Sequence, residues 1–279
     1  MAIELVALPD GTVVPPTTPI IRGDDLGITR GDGVFEALLA TSDGPRGLEA
    51  HLARLAVSAE LLDLPTPDAD GFRRAVAALL DAWDWAQHPE AIVRLFHSRG
   101  TEGGQEPTAW VVGAPLDEAS RIERADGVAV VLLNRGFGAE IAELPWLLPG
   151  SKSLSYAINM AARRYAAAHG AQDVVFHSPQ GHLLEGPTSA VVLDLDGVLV
   201  TPPPEGILAS ITLQELFDAA PDAGLSIRRG ALTTEDFARC RGAWLLSSGR
   251  LLAPITAADG VPVPISPLDP AVRIALGLG

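Results

Sequence analysis

Ser151-Lys152-Ser153-Leu154-Ser155-Tyr156 holds the chain's one lysine: of the 20 Lys plus Arg in 279 residues, 19 are arginine. Where only positive charge is wanted, on a salt bridge or a phosphate, Arg serves as well as Lys or better. A guanidinium cannot lose its proton near neutral pH and attack a carbonyl. A lysine amine can, once burial or a neighbouring cation lowers its pKa. A chain that uses Arg almost everywhere and Lys once therefore marks Lys152 as a candidate for Schiff-base or general-base chemistry.

Outward from this stretch, composition narrows the classes of function. The formal charge is −15, which argues against nucleic acid or an anionic membrane surface as partner. An anionic substrate would then need a local arginine cluster. Cys240 is the single cysteine, which excludes an internal disulfide and suits a reducing cytoplasm. No uncharged apolar run of about 18 residues occurs, so no membrane span is expected. The opening Met-Ala-Ile-Glu-Leu-Val lacks a basic segment before an apolar one, so no signal peptide is expected. The six histidines are scattered without metal-ligand spacing, and no metal site is expected.

The chain alternates strand-like and helix-like segments. Short strands are expected at 3–8 and 11–14, then a turn at Gly31-Asp32-Gly33 and a strand over 34–40. Leu48, Leu52, Leu55 and Ala59 share one face of a helix over 48–62, with Arg54 just off that stripe. A second helix follows over 71–83, then strands at 91–97 and 108–113 around a glycine-rich loop. The charged segment 117–126 reads as a linker, and a strand at 128–133 opens a second domain. A helix carrying Lys152 is expected to end at Gly170, a natural residue just past a helix end. Strands at 173–177, 182–185, 190–195 and 198–201 follow, with Asp196-Gly197 a strong hairpin signal. Thr212-x-x-Glu215 has the form of a capping box opening a helix over 213–220. A strand near 243–247 and the turn Ser248-Gly249 lead into a proline-rich tail.

Three features bear on Lys152. Glu185 stands at a strand end, where an ionised carboxylate could face a protonated ring nitrogen. Thr212, at a helix N-terminus after a glycine-containing loop, offers N–H groups and a hydroxyl to a phosphate. Ser247-Ser248-Gly249 is a second small turn of that kind. A lysine, a ring-nitrogen carboxylate and a phosphate cup are together what pyridoxal phosphate requires.

Four ordered blocks carry a resemblance to a known family: Gly31-Asp32-Gly33-Val34-Phe35-Glu36, His51-Leu52-Ala53-Arg54-Leu55, Lys152, and the run from Glu185-Gly186 to Ile211-Thr212. Together they resemble the class IV aminotransferases, the fold type IV pyridoxal-phosphate enzymes. Those include branched-chain and D-amino-acid aminotransferases and 4-amino-4-deoxychorismate lyase. The resemblance implies a two-domain α/β protein. Its parts would be a small N-terminal α+β domain over 1–115, a linker over 116–125 and a larger mixed, barrel-like domain over 126–279. The cofactor would lie in the cleft between them, and the enzyme would be a homodimer.

The resemblance also implies Lys152 as the Schiff-base lysine and Glu185 as the partner of the pyridine nitrogen. By the same match Arg54, Ile211, Thr212 and Ser248 contact the phosphate, and Tyr156 reaches the phenolic oxygen. Phe35 and Gly249 would border an anionic amine substrate; Arg99, which opens a flexible glycine-rich loop, and Arg250, which follows the Ser247-Ser248-Gly249 turn, are expected from that placement to meet its charge. The aminotransferase Asn-Ile-Phe or Asn-Val-Phe signature after the glutamate is replaced by Ala190-Val191-Val192, and Ser98-Arg99-Gly100 is more similar to lyase members. The expected activity is aminodeoxychorismate lyase, releasing pyruvate and 4-aminobenzoate, with amino-acid aminotransferase as the alternative.

Overall fold

The computed structural model describes residues 3–104 and 106–279. The chain divides into two compact units, Met1–Asp117 with Ser151–Tyr156, and Glu118–Gly150 with Ala157–Gly279.

The first unit contains β1 (Leu5–Ala7), β2 (Val13–Val14), α1 (Leu26–Thr29), β3 (Gly33–Thr41), β4 (Gly44–Pro45), α2 (Leu48–Leu61), α3 (Ala69–Asp81), β5 (Ala91–Ser98) and β6 (Thr108–Pro115). Its strands form an antiparallel sheet in the order β2-β1-β6-β5-β3-β4. Strand periodicity sends Val34, Glu36, Leu38 and Ala40 to one face of β3, and all four are buried. Helix α2 packs on β3 with Leu52, Leu55 and Ala59 inside. Helix α3 packs on β6 through Phe72, Val76 and Leu79, and the Asp68 side chain caps it by accepting the Gly71 N–H.

The second unit contains α4 (Glu118–Asp126), β7 (Val128–Asn134), α5 (Ala157–Ala168), β8 (Asp173–His177), β9 (Ala190–Leu195), β10 (Val198–Thr201), α6 (Ile211–Ala219), β11 (Ser226–Arg229), α7 (Thr234–Arg239), β12 (Gly242–Ser247), β13 (Leu251–Ala258), β14 (Val261–Pro262) and α8 (Asp269–Ala275). Its strands run β11-β10-β9-β12-β13-β7-β8, with β14 added to β13, in a mixed sheet curled as a half-barrel. The pairs β10–β11, β7–β13 and β7–β8 are parallel. Both faces are buried, and alternation sorts them: Val191, Leu193, Leu245 and Ile255 enter one core, Val192, Trp244, Leu246 and Leu252 the other. The expected hairpin closes β9 onto β10 through Asp196 at φ 55° and Gly197 at φ 89°. Both residues of this turn need positive φ, which is why Asp-Gly occupies it.

Several expectations give way. Residues 118–126, expected without secondary structure of their own, form helix α4. Its residues are all at least partly exposed, so no apolar stripe announced it. An ion pair, Glu123 with Arg250, and bonds from Arg124 to the carbonyls of Gly249 and Arg250 hold it instead. Lys152 precedes its helix rather than riding on it, since α5 begins at Ala157. The 182–185 segment makes only isolated bridges, His177 with Leu183 and His182 with Thr233. The cap of α6 is Ser210, whose hydroxyl accepts the Leu213 N–H at 3.2 Å, so Thr212 lies within the first turn and no capping box forms there.

Candidate active site

In the first unit, Lys152 is delivered to the sheet by backbone pairing. The Phe35 N–H donates to the Lys152 carbonyl at 3.0 Å, and the Leu154 N–H to the Gly33 carbonyl at 2.8 Å. Ser153 bridges Val34, so the segment lies along the free edge of β3. The approach is close enough to explain both glycines of Gly31-Asp32-Gly33. A Cβ on Gly31, at φ 70°, would stand 2.7 Å from Ser155 Oγ, and one on Gly33 would stand 2.7 Å from Leu154 Cδ1 and 2.8 Å from the His97 carbonyl. The Lys152 N–H donates to the buried Ser58 hydroxyl at 3.2 Å.

The lysine amine stands at the end of an aromatic row. Its Nζ is 4.5 Å from the Phe35 ring centre and 5.7 Å from that of Tyr156, and the two rings meet edge-on at 5.2 Å. Phe35, Phe96 and Trp110 are cross-strand neighbours on β3, β5 and β6, and their rings stack in series.

Glu36, on the other face of β3, is fully buried. It accepts from His51 Nδ1 at 2.7 Å and from Arg54 Nε and Nη2, both at 2.7 Å. Burial pushes its carboxyl up, but the bonds from Arg54 and His51, with the charges of Arg54 and Lys152, outweigh that and hold it at about 2. Arg54 is thus a guanidinium in a fixed orientation rather than a solvated helix arginine. Glu36, His51 and Ser58 went unassigned at the sequence level. The signal for the first two was a buried strand position facing a helix that carries a histidine and an arginine three residues apart.

In the second unit, Glu185 follows β8 by a short turn and is half-buried. Its Oε2 accepts the Leu208 N–H at 3.1 Å, and the Phe176 N–H donates to its carbonyl at 2.9 Å. Ile211 and Thr212 are the first two residues of α6, with Thr212 1% exposed. Their amides belong to the helix N-terminus, where an anion is favoured. Ser248 and Gly249 occupy the turn between β12 and β13, both half-buried. Within this unit, a carboxylate held by a backbone amide, hydroxyls and a helix N-terminus are groups that the ring nitrogen and phosphate of a phosphorylated pyridine aldehyde require; the first unit has, of its own, an amine and an oriented guanidinium.

Two expected substrate ligands have partners within the protein. Arg99 donates through Nε and Nη2 to Asp32 at 2.6 and 3.1 Å, and its other bonds go to the carbonyls of Leu62 and Asp63 at 2.7 and 3.0 Å. It ties the C-terminal end of α2 to the Gly31–Gly33 turn. Arg250 is 6% exposed, with Nη1 on Glu123 and Nη2 on Asp173, each at 2.6 Å. Burial opposes its charge, yet the two carboxylates prevail and strengthen its hold on the proton.

Among the described residues, no helix is long and apolar enough to cross a membrane, and no cluster of three or more His, Cys, Asp or Glu could hold a metal. The family profile described as amino-transferase class IV matches residues 33–258. A bifunctional aminodeoxychorismate lyase / D-amino acid transaminase of Mycobacterium tuberculosis is 42% identical over 273 residues, spanning 95% of this chain and 94% of that one. A hypothetical aminotransferase of M. tuberculosis, solved in a PLP-bound form, superposes with a TM-score of 0.94 at 42% identity, covering 98% of this chain and 97% of that one. Its form with α-ketoglutarate and PMP gives the same TM-score, identity and coverage. Matched along most of its length and to these relatives end to end, the chain belongs to the class IV aminotransferases, a family of pyridoxal-phosphate enzymes.

Proposed function

We propose that this enzyme is a pyridoxal-phosphate-dependent aminodeoxychorismate lyase, releasing pyruvate and 4-aminobenzoate in the cytoplasm. The observation that carries the reading is the near-full-length relative at 42% identity whose described activities are aminodeoxychorismate lyase and D-amino acid transaminase. The same description supports a second reading, D-amino-acid transamination by the same residues.

When bound, the cofactor supplies an electron-accepting ring next to the substrate amine. Lys152 would hold the cofactor aldehyde and, as a free amine, would serve as general base toward the substrate carbon. Phe35 and Tyr156 present their rings to the amine at 4.5 and 5.7 Å. Glu185, whose carboxylate accepts the Leu208 N–H, would partner the ring nitrogen. Arg54, oriented by Glu36, would bind the phosphate, as would the Ile211 amide, Thr212 and Ser248. The Tyr156 hydroxyl meets the phenolic oxygen, and Gly249 and Phe35 border the substrate. We further propose a homodimer; exposed Ile158 and Tyr165 on α5 are apolar surface that a second copy would cover.

The two activities separate in one experiment. The purified enzyme is given aminodeoxychorismate, and separately a panel of D- and L-amino acids with 2-oxoglutarate. Pyruvate with 4-aminobenzoate is the expected result. Keto acid with glutamate, and no product from aminodeoxychorismate, would replace the first reading with the second. No product from either overturns both.

A further inference from the structure

The turn joining β12 to β13 rests on charge buried beneath it. Ser247 pairs with Leu251, so Ser248, Gly249 and Arg250 form the loop. Below the loop, the Arg250 guanidinium is gripped by Glu123 of α4 and by Asp173 at the start of β8, while its Nε is buried with no partner. An ion triad of this kind costs desolvation and tolerates no missing member.

The main chain above it is strained. Leu251 stands at φ 63°, unusual for a branched side chain, and the Leu252 N–H donates back to the Arg250 carbonyl at 2.8 Å. That three-residue turn of positive φ persists only where its surroundings impose it. The imposing group is Arg124. Its Nε donates to the same Arg250 carbonyl at 2.9 Å and its Nη2 to the Gly249 carbonyl at 3.3 Å. Arg124 is braced in turn, since its carbonyl accepts from Arg273 Nη1 at 3.0 Å and Arg273 Nε is anchored on Asp269 at 2.7 Å.

Drawing two successive carbonyls toward α4 has a consequence on the far side of the loop. In a trans peptide the N–H points opposite to the C=O. Fixing the Gly249 carbonyl therefore fixes the Arg250 amide away from α4, on the other side of the turn. We propose that Arg124 and Arg250 are positioning residues for anion recognition: with Glu123 and Asp173 they hold the Ser248–Arg250 peptides so that the Arg250 amide and the Ser248 hydroxyl face the cofactor phosphate. Arg250 acts from beneath as a pillar and through its backbone, not as a side-chain ligand. The inference rests on the reading that Ser248 contacts that phosphate.

The test compares two ligands that differ only in the phosphate. The full-length chain, freed of cofactor, is titrated with pyridoxal phosphate and with pyridoxal, for wild type, Arg124→Met, Glu123→Gln and Ser248→Ala. Arg124→Met should weaken pyridoxal phosphate on the order of 10-fold and change pyridoxal by less than about twofold, with a shifted ³¹P resonance of the bound phosphate. Glu123→Gln, which keeps shape and removes one charge, should move the same ratio in the same direction and serves if Arg124→Met fails to fold. A ratio unchanged in both variants while Ser248→Ala lowers it overturns the positioning role alone. Equal weakening of both ligands also overturns it, because that is general destabilisation. A ratio insensitive to Ser248→Ala, or a wild type that does not prefer the phosphorylated ligand, overturns the phosphate reading itself and this inference with it.

Discussion

Lys152 was visible because its chemistry has no substitute among the 19 arginines around it. Lys152→Arg keeps the charge but not a deprotonatable amine, so turnover should fall below detection. Borohydride treatment of the wild type should leave a reduced adduct on this side chain, and a peptide map has no other lysine to offer. Near wild-type turnover by the variant would remove the covalent role.

Glu36 titrates in a way that can be measured. Its carboxyl is held at about 2 against an ordinary 4.5, so its stabilising effect is complete above pH 4.5 and fades as pH falls toward 2. That difference corresponds to roughly 3 kcal/mol. Denaturant unfolding should show Glu36→Gln less stable than wild type by that order at pH 6, with the gap closing as the pH drops. A gap constant down to pH 3 would mean that the ionised carboxylate is not the source.

Arg99→Ala should lower stability by about 1–3 kcal/mol through its lost bonds to Asp32, Leu62 and Asp63, and leave KM unchanged. A KM raised tenfold at unaltered stability would return Arg99 to the substrate.

Among the elements, the edge of β3 matters most, because pairing with residues 152–154 sets where the amine stands. Gly33→Ala would place a methyl 2.8 Å from the His97 carbonyl and 2.9 Å from Ser98 Cα, both main-chain atoms that cannot swing aside. The strand or the lysine segment must shift, at an overpacking cost of about 1–3 kcal/mol. The expected outcome is a lower Tm together with slower reaction of Lys152 with pyridoxal phosphate. A lower Tm with unchanged lysine reactivity would show that the strand pair β3–β5 yields instead. Helix α4 teaches a complementary lesson. A helix without an apolar stripe reads as a linker in the sequence, yet Glu123 and Arg124 fix it to the β12–β13 turn.

For the whole molecule, a formal charge of −15 sets the approach of any anionic substrate. Screening by salt weakens a repulsive field over about a Debye length, roughly 10 Å at 0.1 M. For a dicarboxylate, kcat/KM should therefore rise by a small factor between low salt and 0.2 M, and stay flat for a neutral zwitterion. A fall for the dicarboxylate would mean that local arginines dominate its approach.

The elements with strong local signals were legible in the sequence, since helix and strand periodicity and turn chemistry are properties of neighbouring residues. The Asp196-Gly197 hairpin and the α2 and α3 stripes are of this kind. Lys152 could be singled out for the same reason, because an amine's reactivity belongs to the residue type. The partners of the arginines were not legible. Arg250 meets Glu123 127 positions away, and Arg99 meets Asp32 at a separation of 67. A guanidinium has the same formula whether it binds a substrate or holds up a turn. Its role depends on which carboxylates and carbonyls the chain brings within about 3 Å, and that is decided only when distant segments pack together.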